Sequence, residues 1–515
     1  MAIPTTASGI PRGPLTVLQV EAPDAYGRFA PVDFGQGREV RADGVLAGLR
    51  VTADSVTSTD GRDTGSHARQ VAEALAGVEA IGGASVAHLR VMNSGDFLSR
   101  VLRPVQRSGR AMSPARLPGR PQVVNASFSG SSGWDGLDQD LLRRADQVVF
   151  RDGAVLVAGA VTAPNGPFAG ANLVWGGRNV LAVRGTASES VFAPAGRLPG
   201  RRYPDLWEDA TASLAAARVS SAVARLLDAA QRTGVPRLSR PSAMRAILMA
   251  SADRSSVPAA ASTGVPGGGA MAGTWRAQQS NGLDPLWGAG RLDPDAAERV
   301  LRSPLTAPTA VTPGNRASPS GGLRPRTWGA ETGLATPAIK ARGAVAVPFR
   351  LAEGVAGLAA ALAWELNPTR AGAASATLRL ELFGVTLTPT GTASLHGAPL
   401  AWVSTAGENV ALLSYGSLPA GDYAWVLRNE SRASVQPVLA WMNLLSPPVT
   451  PELPPTLPPV PPNATYPPLP PPPLPPGAGA TMPPTAGFSP VPEPGAGLLA
   501  MLVGGVALVR PRRSA

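Results

Sequence analysis

Residues 209–228 read Asp-Ala-Thr-Ala-Ser-Leu-Ala-Ala-Ala-Arg-Val-Ser-Ser-Ala-Val-Ala-Arg-Leu-Leu-Asp. Alanine is the strongest helix former and one of the least bulky residues. The stretch therefore predicts a helix that can lie close against a neighbouring element. Ser213 stands at its beginning, where open backbone N–H groups and the helix dipole favour negative charge. That setting suits an alkoxide or an acyl oxyanion, so Ser213 is a candidate nucleophile. A serine there also serves as a plain helix cap. The choice depends on what the flanking sequence supplies.

Upstream, residues 16–22 (Thr-Val-Leu-Gln-Val-Glu-Ala) read as a short apolar strand ending in a carboxylate, before Pro23-Asp24 breaks it. Strand C-termini in α/β sheets line the active crevice, which makes Glu21 a candidate acid and Asp24 the fallback. A glutamate simply emerging at a strand end is the competing reading. Residues 66–77 predict a helix on the spacing of Ala68, Val71, Ala72, Leu75 and Ala76, with Ser66 able to cap it and Gly77 ending it. His67 lies in its first turn. Of the three histidines, His88 falls in a strand-like run and His396 in a downstream β region, so His67 is the candidate general base. Further strands are predicted over 122–127, 154–161 and 179–183. Helices are predicted over 135–148 and 242–251 and after Asp293. Strands alternating with helices indicate a parallel α/β sheet.

In this order the segments resemble the subtilisin-like serine peptidases. The family's His-Gly-Thr-His-Val-Ala-Gly helix resembles His67-Ala-Arg-Gln-Val-Ala-Glu73. Its Gly-Thr-Ser-Met-Ala-x-Pro-x-Val nucleophile helix resembles Thr211-Ala-Ser-Leu-Ala-Ala-Ala-Arg-Val219, and its Val-x-Asn-x-Ser strand resembles Val123-Val-Asn-Ala-Ser127. Smaller echoes are 179–183, 246–253 and 288–293. The resemblance spans residues 12–301. It implies a subtilisin-like parallel sheet flanked by helices, with Glu21, His67 and Ser213 in the catalytic order acid, histidine, serine. It also implies a protein or peptide substrate paired along Ser127, Phe128, Ser129 and Gly130. The chain departs from the family in three ways. A glutamate stands where an aspartate is usual. Thr211, Ala212 and Ala217 replace glycine, threonine and proline. At the family's oxyanion asparagine stands Thr162, with Asn165 three residues on, so both are oxyanion candidates. In subtilisin, loss of that donor costs about 10²–10³ in turnover.

Composition narrows the remaining classes. The formal charge is +11, yet lysine occurs once, at Lys340, and the arginines are scattered. No basic stripe interleaved with aromatics appears, which argues against nucleic acid as a partner. Cysteine is absent, excluding disulfides, thiolate metal sites and a cysteine nucleophile. No Gly-x-Ser-x-Gly elbow supports an α/β-hydrolase. No metal ligand set or cofactor motif is evident, with structural calcium left open.

Residues 1–11 read as an N-terminal tail and 302–325 as a linker rich in turn residues. Residues 326–445 carry short strands at regular spacing, the pattern of a β-sandwich, and resemble the β-domain appended to secreted bacterial subtilases. Trp364, Trp402, Trp425 and Trp441 are assigned to its core rather than to a carbohydrate platform. Residues 446–490 are proline-rich enough to form a polyproline II spacer reaching on the order of 130 Å. Val491-Pro492-Glu493-Pro494, the apolar run 495–509 and Arg510-Pro-Arg-Arg513 follow. This 491–515 segment resembles the PEP-CTERM sorting signal of Gram-negative bacteria, which implies an exosortase-type partner, a membrane helix over 495–509 and a surface location. As a helix, that run spans about 22 Å against a hydrocarbon core of roughly 30 Å, a gap that snorkelling arginines and local thinning can close. No signal peptide precedes the body, so an upstream start is expected. The function expected is a surface-sorted serine endopeptidase, and the runner-up is a catalytically silent binding protein of the same fold.

Overall fold

The computed structural model describes residues 15–23, 28–34, 38–55, 65–103, 113–128, 135–160, 173–186, 204–255, 280–285, 287–311, 329–330, 332–368, 376–387, 393–405 and 408–444. Its first half is built on β1 (Leu15–Glu21), β2 (Glu39–Arg41), β3 (Arg50–Ala53), β4 (Val86–Asn93), β5 (Val123–Ser127), β6 (Val155–Ala160), β7 (Leu181–Gly185) and β8 (Leu206–Glu208). These form one sheet in the order β2-β3-β4-β1-β5-β6-β7-β8, parallel throughout except for the β2–β3 pair. The chain starts at the centre, fills one side, then crosses to the other. The order of strands therefore reverses at β1 and β5, where α/β sheets open a crevice at their carboxyl ends.

Helices cover both faces, as a sheet that is parallel in all but its edge pair requires. The helices are α1 (Ser66–Ala76), the short α2 (Ser94–Asp96), α3 (Asp135–Asp152), α4 (Ala212–Thr233), α5 (Pro241–Ser251) and α6 (Pro294–Arg302). Leu15 and Val17 of β1 share a core with α1, α4, α5 and α6, while Leu18 and Val20 share the other core with α3. That is the period-2 alternation of a strand buried on both sides.

Among the described residues nine strands follow: β9 (Thr309–Val311), β10 (Gly333–Ala335), β11 (Ala344–Leu351), β12 (Gly357–Ala363), β13 (Leu378–Leu387), β14 (Ala393–Ser404), β15 (Val410–Tyr415), β16 (Gly421–Asn429) and β17 (Val438–Leu444). They form a four-stranded sheet, β10-β17-β12-β15, and a five-stranded sheet, β14-β13-β16-β11-β9, packed over a common apolar core. Two sequence expectations differ here. Thr309–Val311, inside the expected linker, pairs as an edge strand with β11. Trp364, Trp425 and Trp441 are buried, but Trp402 is 56% exposed. It lies on an edge strand, where the Arg379 guanidinium stacks 4.0 Å from its ring centre. Among the described residues no helix is long and apolar enough to cross a membrane. The run 495–509 lies outside them.

The sandwich is not a loose appendage. Every residue of α5 is buried, and α5 shares one apolar core with Ala361, Ala363, Val438, Ala440 and Met442 of the four-stranded sheet. A helix buried all round must satisfy its polar groups internally. Arg245 does so by donating to Asp205 Oδ1 at 2.7 Å, to the Arg178 carbonyl at 2.6 Å and to Asn409 Oδ1 at 3.2 Å. Asn409 in turn donates to Asn179 Oδ1 at 3.1 Å and to the Trp364 carbonyl at 2.6 Å. Arg245→Met would leave the wholly buried Asp205 carboxylate without its cation. The expected loss is about 3–5 kcal/mol of stability, read by urea unfolding followed by tryptophan fluorescence. Loss below about 1 kcal/mol would show that the seam does not depend on this pair.

Candidate active site

Glu21 is the last residue of β1, and odd-numbered β1 residues face α1 and α4. Gln19 and Glu21 therefore sit side by side on that face, both fully buried. Glycine at residue 65 caps α1, so Ser66, expected to cap it, is instead its first helical residue. His67 follows in the first turn with its side chain 33% exposed, while Ala68, Val71, Ala72 and Leu75 face inward. From there His67 Nδ1 meets Glu21 Oε2 at 3.0 Å. A carboxylate can only accept, so Nδ1 carries the proton. In the neutral ring, Nε2 is then the basic nitrogen.

The same carboxylate is held from its other oxygen. Gln19 Nε2 donates to Glu21 Oε1 at 3.0 Å and to the Ala68 carbonyl at 2.8 Å. Burial pushes the Glu21 carboxyl up from the usual carboxylate range. The hydrogen bond and charge of His67 oppose this, as does the Gln19 hydrogen bond.

Ser213 is the second residue of α4, and the capping expectation is overturned. Thr211 is the N-cap, its side chain accepting from the Leu214 N–H at 3.4 Å. Ser213 is half-buried, and its carbonyl accepts from Ser127 Oγ at 3.3 Å. Ser127 is the register neighbour of Glu21 on β5. The first turn of α4 is thereby tied to the strand next to the acid, at the crevice mouth. A second chain of bonds supports it: Ser220 Oγ donates to Asn125 Oδ1 at 3.0 Å, and Asn125 Nδ2 donates to Ser127 Oγ at 2.8 Å. Gly185 admits the turn ahead of α4, because a Cβ there would lie 2.2 Å from the Ala210 carbonyl oxygen.

Of the other sequence-derived candidates, Phe128 is half-buried and turns its ring toward Phe97, 6.4 Å away edge-on. Asp24, Ser129, Gly130, Thr162, Asn165 and the Val491-Pro492-Glu493-Pro494 box lie outside the described residues. His88 Nε2 is paired with Thr52 Oγ1 at 2.8 Å, away from the crevice, and His396 lies exposed on β14. Sequence reasoning missed Gln19 and Ser220, and placed Asn125 only within the Val-x-Asn-x-Ser resemblance, without a role. The signal for Gln19 was a lone amide in an apolar strand, two residues before the acid and so on its face. Among the described residues no cluster of three or more His, Asp or Glu side chains could hold a metal ion.

No family model matches this chain, and no curated protein matches it. Similar solved structures include the patellamide maturation protease PatA, 20% identical, covering 56% of this chain and 97% of that one with a TM-score of 0.33. Another is the prenylagaramide maturation protease PagA, 13% identical over 56% of this chain and 94% of that one, TM-score 0.31. A third is the Yersinia pseudotuberculosis-derived mitogen, 14% identical over 23% of this chain and 91% of that one, TM-score 0.16.

The buried pair makes a pH-dependent stability prediction. A carboxyl whose native pKa is raised contributes stability that is complete below its unfolded pKa and is lost as pH rises through the native one. His67→Ala removes the main group holding the Glu21 pKa down, so that loss grows. The variant's deficit against wild type should be larger at about pH 8 than at about pH 5. Thermal melts at the two values test this, and a pH-independent deficit would contradict it.

Proposed function

We propose that the chain is a serine endopeptidase of the subtilisin-like type, with Glu21, His67 and Ser213 as acid, base and nucleophile. The observation that carries this reading is the 3.0 Å contact between Glu21 Oε2 and His67 Nδ1. It lies at the switch-point crevice to which Ser127 ties the first turn of α4. Ser213 Oγ attacks the peptide carbonyl carbon while His67 Nε2 takes its proton. The acyl-enzyme forms as the imidazolium gives that proton to the leaving amine, and water then repeats the sequence. Glu21 holds the imidazole tautomer and offsets the imidazolium charge without taking the proton. The Ser213 N–H, at a helix N-terminus, is one donor for the tetrahedral oxyanion, and Thr162 or Asn165 supplies another.

The rest of the proposal concerns location. The Val491–Pro494 box, the apolar 495–509 run and the terminal arginines support export and surface sorting by an exosortase-type enzyme, with 446–490 as the spacer. The residue pattern favours one alternative, since a threonine stands at the family's oxyanion asparagine. In that reading the fold is kept as a silent surface binding protein.

A fluorophosphonate separates the two readings. Labelling of wild type, absent in Ser213→Ala with casein hydrolysis down about 10⁴-fold or more, is the expected result. An inert, folded wild type would favour the silent protein. For the tail, deleting 491–515 should move the body from the membrane fraction to the soluble one in a host with the sorting enzyme. An unchanged distribution would remove the sorting proposal.

A further inference from the structure

We propose that Gln19 is a positioning residue for the acid–base pair: its amide nitrogen locks the Glu21 carboxylate to the first turn of α1 and so sets where His67 stands. This rests on the peptidase reading for its consequence in catalysis, but not for its geometry.

The amide has only one sensible orientation. Its nitrogen lies 3.0 Å from Glu21 Oε1 and 2.8 Å from the Ala68 carbonyl. Both are acceptors, and a flipped amide would aim its oxygen at two oxygens. The two N–H groups are thus consumed, one on the acid and one on the residue following His67. The amide oxygen, in contrast, is buried with no hydrogen-bond partner. An unsatisfied buried carbonyl is destabilising. A methionine of the same length would fill the space without that cost, so stability alone does not explain a glutamine here. What methionine cannot supply is the pair of N–H donors.

The clamp's position gives it leverage. Gln19 and Glu21 lie on one strand and one face, while Ala68 and His67 are adjacent on α1. The bonds Ala68–Gln19, Gln19–Glu21 and Glu21–His67 therefore close a ring through two backbones. Such a ring fixes the carboxylate's rotamer and the approach of α1 to β1 together. The groups facing the carboxylate are His67 from α1 and Gln19 from β1, with Asn93 of β4 and Ser127 of β5 as register neighbours. Of these described neighbours, His67 is the titratable one.

Gln19→Met in the full chain tests this, with two readouts. The first is the pH dependence of fluorophosphonate labelling. The rate should fall about tenfold or more, and its acid limb should move to lower pH, because a Glu21 carboxyl that loses a donor is less charged and holds the His67 proton less firmly. The second is the titration of ¹³C-labelled histidine, with only His67, His88 and His396 to assign. His67 should titrate lower while the other two stay in place. A purely structural glutamine would lower the melting temperature and move neither readout; that outcome overturns the proposal. Should wild type fail to label, the peptidase reading falls and the His67 titration alone decides the role of Gln19. Should Gln19→Met not fold, Gln19→Asn retains the amide but falls one methylene short of bridging both acceptors. It must reproduce the His67 shift, and a wild-type titration in it would overturn the proposal.

Discussion

A carboxylate sealed from water is the constraint around which the α/β half is arranged. Glu21 has no exposed surface, and a charge in that position persists only if donors replace its hydration. The fold supplies them from two directions: Gln19 from the same strand and His67 from the helix laid across it. The requirement fixes more than a side chain. It demands that α1 begin beside the end of β1. It also demands that the polar pair interrupt a core made mostly of valine, leucine and alanine on that face. The interruption is confined to the end of the strand, where the crevice opens.

The second constraint is steric, and it explains the alanine-rich composition of α4. This helix packs against α1, β5, β6 and β7, with Ala215, Ala216 and Ala217 fully buried. Larger side chains there would hold the helix off the sheet and lift Ser213 away from Ser127. On the opposite flank, a Cβ on Gly82 would come within 2.0 Å of the Ser221 carbonyl oxygen, so that loop also presses on α4. Close approach, together with the Ser127 tie, sets where the first turn of α4 lies. The Thr211 cap then leaves the Ser213 hydroxyl free of the capping duty that its place in the sequence invited.

Most of this α/β half was legible in the sequence because its signals are local. Alternation in β1 and the helical spacing of Ala68, Val71, Ala72 and Leu75 each occupy a dozen residues or fewer. The pairing of Glu21 with His67, separated by 46 residues, became legible only through motif order. What escaped was set by tertiary contact. The sequence predicts a helix over 242–251 but carries no sign of what its Arg245 side packs against. The sandwich covers that side, and Asp205 and Asn409 meet the arginine there. Thr309–Val311 reads as linker because three residues beside prolines carry no pattern, yet β11 needed an edge partner. Trp402 reads as core by residue type, but it falls on the outer edge strand β14, where Arg379 covers one face of its ring.

Residue 21 is a glutamate rather than an aspartate. Relative to aspartate it adds one methylene and one more torsion, and ordering a long carboxylate side chain costs up to about 1.5–2 kcal/mol in rotamer freedom. A longer acid buried at a strand end therefore needs a restraint that a shorter one does not. The neighbour two residues back, on the same face by the two-residue period, is the nearest place on the chain from which to supply it. Gln19 fills that place, and its second N–H reaches the helix that carries the histidine. The longer acid and the buried glutamine are then two parts of one arrangement. A restraint at the acid would be of no use if the helix opposite could drift. The seam formed by α5 and the sandwich, joined through Arg245 and Asn409, closes that side of the core against which α4 is packed.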